Sequence, residues 1–276
     1  MNLKKIIYFF LLGFAISVNC YALKPNNSIS DNSSKKDGDN KEFIRTKGCK
    51  RLLSYNIKHC EGMDNVVNYD RTASVIRSLN PDVVCLQELD SMNTRCNVFQ
   101  MEVLGEKLDM HSYFGSAIPY KGSKYGLGVL SKEKAINVYN FTLPGVVNHT
   151  FLLLEFHKYI VICVHLDLTE VHRVESVKII TEQARKFKKP VYLAGDFNED
   201  NLKGKMFSEF YKDWDIISLT NNTFPTGNPI KCIDYVLEFK GVNYNNKIKN
   251  KNVVYALKDV DVSNTSDHYP IFIDFK

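Results

Sequence analysis

Apolar residues along this chain follow two rhythms. Near-continuous runs at residues 51–56, 83–86, 126–130, 151–156, 159–166 and 190–193 have the length and density of strands covered on both faces. Between them, apolar positions fall at helical spacing. Val66, Tyr69, Ala73 and Ile76 predict a helix over residues 65–79, stopped by Asn80-Pro81. Residues 97–108, 170–187 and 202–210 predict three more. Further strands are expected at 233–239, 253–257 and 271–275. Residues 91–96, 116–124, 140–149 and 221–231 read as loops. No repeat or internal linker divides residues 48–276, so the pattern predicts one domain of many strands and few helices.

The first residues differ from the rest. Lys4 and Lys5 precede an apolar stretch at 6–18, and Cys20-Tyr21-Ala22 offers a small-residue cleavage site. Residues 1–22 therefore predict a signal peptide and a secreted or periplasmic product. Lipidation at Cys20 and an uncleaved anchor are the alternatives. Residues 23–47, rich in Asn, Ser, Lys and Asp, predict a disordered linker, with order beginning near Cys49.

The 44% hydrophobic and 24% charged residues are those of an ordinary globular chain. The formal charge of +5 suggests a nucleic-acid partner until its distribution is considered. Residues 1–47 hold eight Lys/Arg against four Asp/Glu, which leaves 28 against 27 for the rest. A near-neutral domain lacks the electrostatic footprint of a nucleic-acid binder. Beyond Cys20 there are six cysteines, an even number that permits disulfides without fixing their pairing. Cys85 and Cys163 lie inside apolar runs and read as buried thiols, and no CxxC spacing suggests zinc.

Polar residues gather where the apolar runs end. Asn56 closes the first strand and Glu88 follows Leu86-Gln87. His165 ends Val164-His165-Leu166-Asp167, and Asp196 with Asn198 follows Leu193-Ala194-Gly195. Asp234 stands in Ile233-Asp234-Tyr235, and Asp267-His268 in Ser266-Asp267-His268-Tyr269-Pro270. Singly, each reads as a turn former or a satisfied side chain. Together they supply hard oxygen ligands, a base and imidazoles, the groups that phosphoester hydrolysis uses.

Gly-Asp-Phe-Asn followed by Ser-Asp-His-x-Pro, with Leu-Gln-Glu ahead of both, resembles the endonuclease/exonuclease/phosphatase superfamily, the DNase I-like proteins. With Lys124-Tyr125-Gly126 and Leu130-Ser131, the chain is most similar to exported or uncharacterised bacterial members. The resemblance covers about residues 50–276. It implies an α/β fold: a four-layer α/β sandwich, two mixed β-sheets packed face to face with helices outside. It also implies roles. Glu88 binds an essential divalent cation, with Asn56 beside it and Asp267 contributing. Mg²⁺ is the ion implied, with Mn²⁺ as a substitute. Asp196, held by Asn198, orients or deprotonates the attacking water. His268, oriented by Asp234, contacts the phosphate. His165 binds a phosphate oxygen or assists the leaving group, and Tyr125 and Asn198 face the substrate.

The resemblance implies a phosphoester substrate and a metal-dependent hydrolase, expected to be an exported phosphodiesterase acting as a monomer. A nonspecific nuclease is the alternative within the family, and a binding module that has lost turnover is the alternative outside it. Nucleic acid is not indicated by charge, while a membrane lipid headgroup stays open as a partner.

Overall fold

The computed structural model describes residues 42–241 and 247–276. The expected signal peptide, its anchoring alternatives and residues 23–41 of the expected linker lie outside the described residues.

One sheet is built from β1 (Lys50–Asn56), β2 (Val83–Asn93), β3 (Cys96–Phe99), β4 (His111–Tyr120), β5 (Ser123–Ser131), β12 (Asn250–Val253) and β13 (Ile271–Phe275). Its order is β12-β13-β1-β2-β5-β4, with β3 on the outer part of β2. The second sheet holds β6 (Asn137–Leu143), β7 (His149–Glu155), β8 (Ile160–His165), β9 (Val191–Asp196), β10 (Trp214–Ile216) and β11 (Asp234–Phe239). Its order is β10-β11-β9-β8-β7-β6. Each sheet contains one parallel pair, β1 with β2 and β8 with β9, so both are mixed.

The continuous apolar runs have a direct cause. On β8, Val161 and Cys163 join the core shared with the first sheet, whereas Ile160, Ile162 and Val164 join the core beneath α3 (Glu170–Ala184) and α4 (Lys205–Phe210). Tyr192 and Ala194 of β9 face inward and Val191 and Leu193 face the helices in the same alternation. On the other outer face, Ala73, Val75, Ile76 and Leu79 of α1 (Tyr69–Leu79) pack with Met101 and Leu104 of α2 (Gln100–Leu108). The layers are therefore helix, sheet, sheet, helix, as expected.

The boundaries move in four places. Helix α1 begins at Tyr69, because Asn68 accepts a capping hydrogen bond from the Arg71 backbone. Residues 97–99 pair as β3 with the extension of β2, so the second helix starts only at Gln100. The stretch 116–124 is no loop. It is the end of a hairpin in which Lys121 (φ 44°) and Gly122 (φ 89°) make the two-residue turn between β4 and β5. Part of 140–149 is strand as well, in β6 and β7.

The linker also ends sooner than its composition suggests. Phe43 is buried and packs edge-on against Phe272, with centroids 5.4 Å apart. The buried Arg51 donates to Asp274 through Nε (2.7 Å) and Nη2 (3.0 Å), and through Nη1 to the carbonyls of Phe43 (2.8 Å) and Leu79 (2.7 Å). Thr46 donates to the same carboxylate through its backbone N, at 3.1 Å. A desolvated guanidinium needs all of these acceptors, and the segment before β1 supplies one.

Because β1 and β2 end where β5 and β13 begin, and β8 and β9 end where β7 and β11 begin, one end of the sandwich collects all these termini. The predicted polar positions lie there.

Candidate active site

Asp196 is the centre of the site. It ends β9 directly opposite His165 on β8 and Asp234 on β11. Gly195 lets the strands approach, since a Cβ there would stand 2.0 Å from the Val164 carbonyl oxygen. Asp196 Oδ2 accepts a hydrogen bond from Asn56 Nδ2 (3.1 Å) and lies 3.6 Å from His165 Nε2 and 3.7 Å from His268 Nε2. Its other oxygen accepts from the Asn198 backbone N at 2.9 Å. Burial pushes this carboxyl above the usual range. Asp234 adds to the rise, while His268 and His165 oppose it. The result is a more basic carboxylate than an exposed aspartate.

His268 is buried, and its Nδ1 lies 2.9 Å from Asp234 Oδ2. Burial alone would disfavour the imidazolium. Asp234, through charge and hydrogen bond, and then Asp196 and Asp267 outweigh it and raise the pKa to about 10. The same Asp234 oxygen accepts from Thr223 Oγ1 at 2.5 Å, and the Phe224 ring lies 4.8 Å from the imidazole. The segment 221–231 thus fixes Asp234 and His268 rather than serving only as a surface loop.

On the other sheet, the register of β2 against β5 slips between Leu86 and Leu89, and Glu88 adopts a φ of 63°. An unfavourable backbone angle at a half-buried carboxylate is the kind of strain that collects at functional sites. Burial would raise the Glu88 pKa. His165, the Asn56 hydrogen bond, His268 and His59 outweigh it, so Glu88 stays below the ordinary glutamate value.

Asn56 stands beside Glu88. Its Nδ2 donates to both Glu88 Oε1 (3.0 Å) and Asp196 Oδ2, while its Oδ1 accepts from the Lys58 backbone N at 3.1 Å. In this arrangement Asn56 holds two carboxylates together, and its Oδ1 keeps a second lone pair beside Glu88. Asn198 is similarly committed: its side-chain N–H donates to the Leu166 carbonyl (2.8 Å), leaving Oδ1 for a ligand.

Tyr125 lies in a groove with His165, walled by the β4–β5 hairpin and the segment between β6 and β7. Burial, and then the charge of Glu88, hold its hydroxyl firmly protonated. Three residues absent from the sequence expectation join the surroundings. His149 donates through Nδ1 to the His165 carbonyl oxygen (2.9 Å), and its ring meets the His165 ring edge-on. A carbonyl only accepts, so Nδ1 carries the proton. His59 and Arg95 flank Glu88 and Tyr125, with Arg95 held by a two-point ion pair to Asp90. His149 was hidden in a stretch that reads as loop, and only the β7–β8 pairing places it behind His165.

The Exo_endo_phos family model, described as the Endonuclease/Exonuclease/phosphatase family, matches residues 53–268. The chain belongs to this family. Hydrolysis of phosphoester bonds is the chemistry typical of its members, and all six strand-end positions lie in the matched span. No curated protein matches the sequence.

Solved structures support the family's DNase I-like fold. An endonuclease/exonuclease/phosphatase from Beutenbergia cavernae is 23% identical with a TM-score of 0.67, covering 84% of this chain and 72% of its own. A mannosyl-6-phosphatase from Bacteroides thetaiotaomicron is 17% identical with a TM-score of 0.67, covering 82% and 99%. The human Nocturnin catalytic domain with bound sulfate is 15% identical with a TM-score of 0.60, covering 83% and 93%. At these identities the likeness concerns the fold alone.

A divalent cation, common in this family, fits the residues present. Glu88 and Asp267 are acidic and feel each other's charge: burial raises the Asp267 pKa, and the Glu88 charge raises it further against the opposing pull of His268 and Lys58. Two hard carboxylates repelling one another suit an oxygen-seeking ion. Asp196, Asp234 and His268 also bring ligand atoms within 4.8 Å of one another. That trio is already occupied by its own ion pair, because an imidazolium has no lone pair to offer.

Proposed function

We propose that the chain is an exported, Mg²⁺-dependent phosphodiesterase. The reading rests above all on one carboxylate oxygen: Asp196 Oδ2, set between the Nε2 atoms of His165 and His268 and tied through Asn56 to Glu88. Asp196 orients the attacking water and, made more basic by burial, accepts its proton. The Oδ1 of Asn198 restricts where that water sits. His268, kept cationic by Asp234, donates to a non-bridging phosphate oxygen, and His165 serves the phosphate or the departing oxygen. Tyr125 adds a protonated hydroxyl on the substrate side. Glu88 and Asp267 would hold the cation, which supplies charge neutralisation on the phosphate when bound. Export rests on the composition of residues 1–22.

The test is a panel with purified protein, with Mg²⁺ or with chelator: bis(p-nitrophenyl) phosphate, plasmid DNA, RNA, sphingomyelin and phosphoinositides. Mg²⁺-dependent cleavage of a diester, abolished in His268→Ala, is the expected result. Preference for DNA or RNA would select the nuclease alternative. Affinity without turnover on any substrate would select the binding module. Fractionation of expressing cells tests export.

A further inference from the structure

Single exposed apolar side chains are ordinary on a protein surface, so only their distribution carries meaning. Among the described residues, nine of the twelve exposed aliphatic and methionine side chains lie at the end of the sandwich that carries Asp196. They come from separate segments: Met63 after β1, Met92 near the end of β2, Val146 and Val147 between β6 and β7, Leu168 after β8, and Ile230 ahead of β11. Leu168 and Ile230 are 65% and 64% exposed. The opposite end shows only Ile136 and Val138, neighbours at the start of β6, and the remaining one is Ile44 ahead of β1.

The apolar segments are joined to the site. The Val146 backbone N donates to Asp167, two residues after His165, at 3.0 Å. The Met63 backbone N donates to the Asn264 carbonyl, three residues before Asp267, at 3.2 Å. Val147 lines the same groove as Tyr125, His149 and His165. Apolar side chains from segments of both sheets therefore stand at the end that carries Asp196, one of them in the groove itself.

Charge on this end agrees. Lys121, Lys124, Lys203 and Lys231 are exposed here and form no ion pair with a carboxylate among the described residues. Asp200 and Asp261 stand on the same end, so the net field is mild and apolar contact must carry most of any attachment.

A protein seated over this end would shut the substrate out. A lipid surface would bring the phosphoester with it, offering acyl chains to the aliphatic tips and phosphates to the lysines. We infer that this end of the molecule docks on a phospholipid surface and that the bond cleaved belongs to a lipid headgroup. The surface stands on the apolar side chains; the headgroup as substrate rests on the hydrolase reading above.

The only tryptophan, Trp214, is fully buried, so a tryptophan introduced at the surface reports its own surroundings. Full-length Leu168→Trp and Ile136→Trp are titrated with phosphatidylcholine vesicles brominated along the acyl chains. Quenching of L168W with none of I136W is expected. Equal quenching of the two, or none at L168W, overturns the inference whatever else in the chain touches lipid. Leu168→Ser with Met92→Ser should weaken vesicle partitioning by about tenfold or more. It should leave turnover of monomeric bis(p-nitrophenyl) phosphate unchanged. The quenching does not depend on turnover, so failure of the hydrolase reading, seen as an inert protein on that diester, is distinguishable from failure of the lipid surface.

Discussion

Asp234 accepts from both Thr223 and His268 through a single oxygen, at 2.5 Å and 2.9 Å, while its other oxygen is buried without a partner. The geometry ties Asp234 and His268 into one hydrogen-bonded pair. Asp234→Asn keeps a hydrogen-bond partner and removes the charge, so the His268 pKa should fall from about 10 and the rate with it. The direction follows from the raised value. His268 is charged across neutral pH, and activity and the ion pair's stabilisation are lost as pH rises through the folded pKa. In D234N that alkaline loss should begin at lower pH, and the rate at neutral pH should drop by about 10²-fold or more. The double variant with His268→Ala should be little worse than His268→Ala alone. A pH–rate profile and an NMR titration of His268 check both; fully additive losses would return Asp234 to a purely structural role.

Glu88→Gln keeps shape and removes the ligand charge. Activity with Mg²⁺ should fall on the order of 10²–10³-fold. The readout independent of turnover is thermal: Mg²⁺ should raise the Tm of the parent protein and leave that of Glu88→Gln unmoved. An equal rise in both would remove Glu88 from the metal site.

The start of the fold can be placed by truncation. Removing residues up to Lys41 should leave urea stability unchanged, whereas removal through Lys47 deletes Phe43 and an acceptor of Arg51. That larger deletion should cost about 2–4 kcal/mol. Asp274 supplies a second check. Burial alone would raise its pKa, but Arg51 and Thr46 hold it below the ordinary value. Its contribution is therefore present above a pH of about 3.9 and lost as pH falls through the lower folded value. Arg51→Met should abolish that part of the acid dependence.

His149 holds the His165 carbonyl and also lines the groove, so its loss is expected to act first through the placing of His165. His149→Ala should lower kcat roughly threefold to tenfold, the worth of one hydrogen bond, with KM little changed. His149→Gln restores a donor and should recover part of the rate. A variant as slow as His149→Ala would show that ring packing, not the hydrogen bond, places His165.

What could be read from the sequence was what is written locally. Asn56, Glu88, His165, Asp196, Asp234 and His268 all stand where apolar runs stop, and strands buried on both faces leave such runs visible. The task of Asn56 could not be read, because it depends on Asp196, 140 residues away along the chain. The hairpin at 116–124 was masked by its Gly, Ser and Lys content, although Lys121-Gly122 is the turn itself. Phe43 was missed because one buried ring in a polar segment makes no pattern; only Phe272 and Arg51 give it a place. His59 and Arg95 lack any periodic signal and are brought to Glu88 by turns of irregular shape.

The pairing of β8 with β9 sets His165 opposite Asp196 by sheet register, and Gly195 keeps the two strands close. The spacing of those two groups is thus a property of the scaffold and not of the surrounding loops. Specificity and chemistry are separable here in the engineer's sense. Exchanging the segments between β6 and β7 or between β4 and β5 for those of another phosphoesterase should change what is cut while leaving the cutting apparatus in tune.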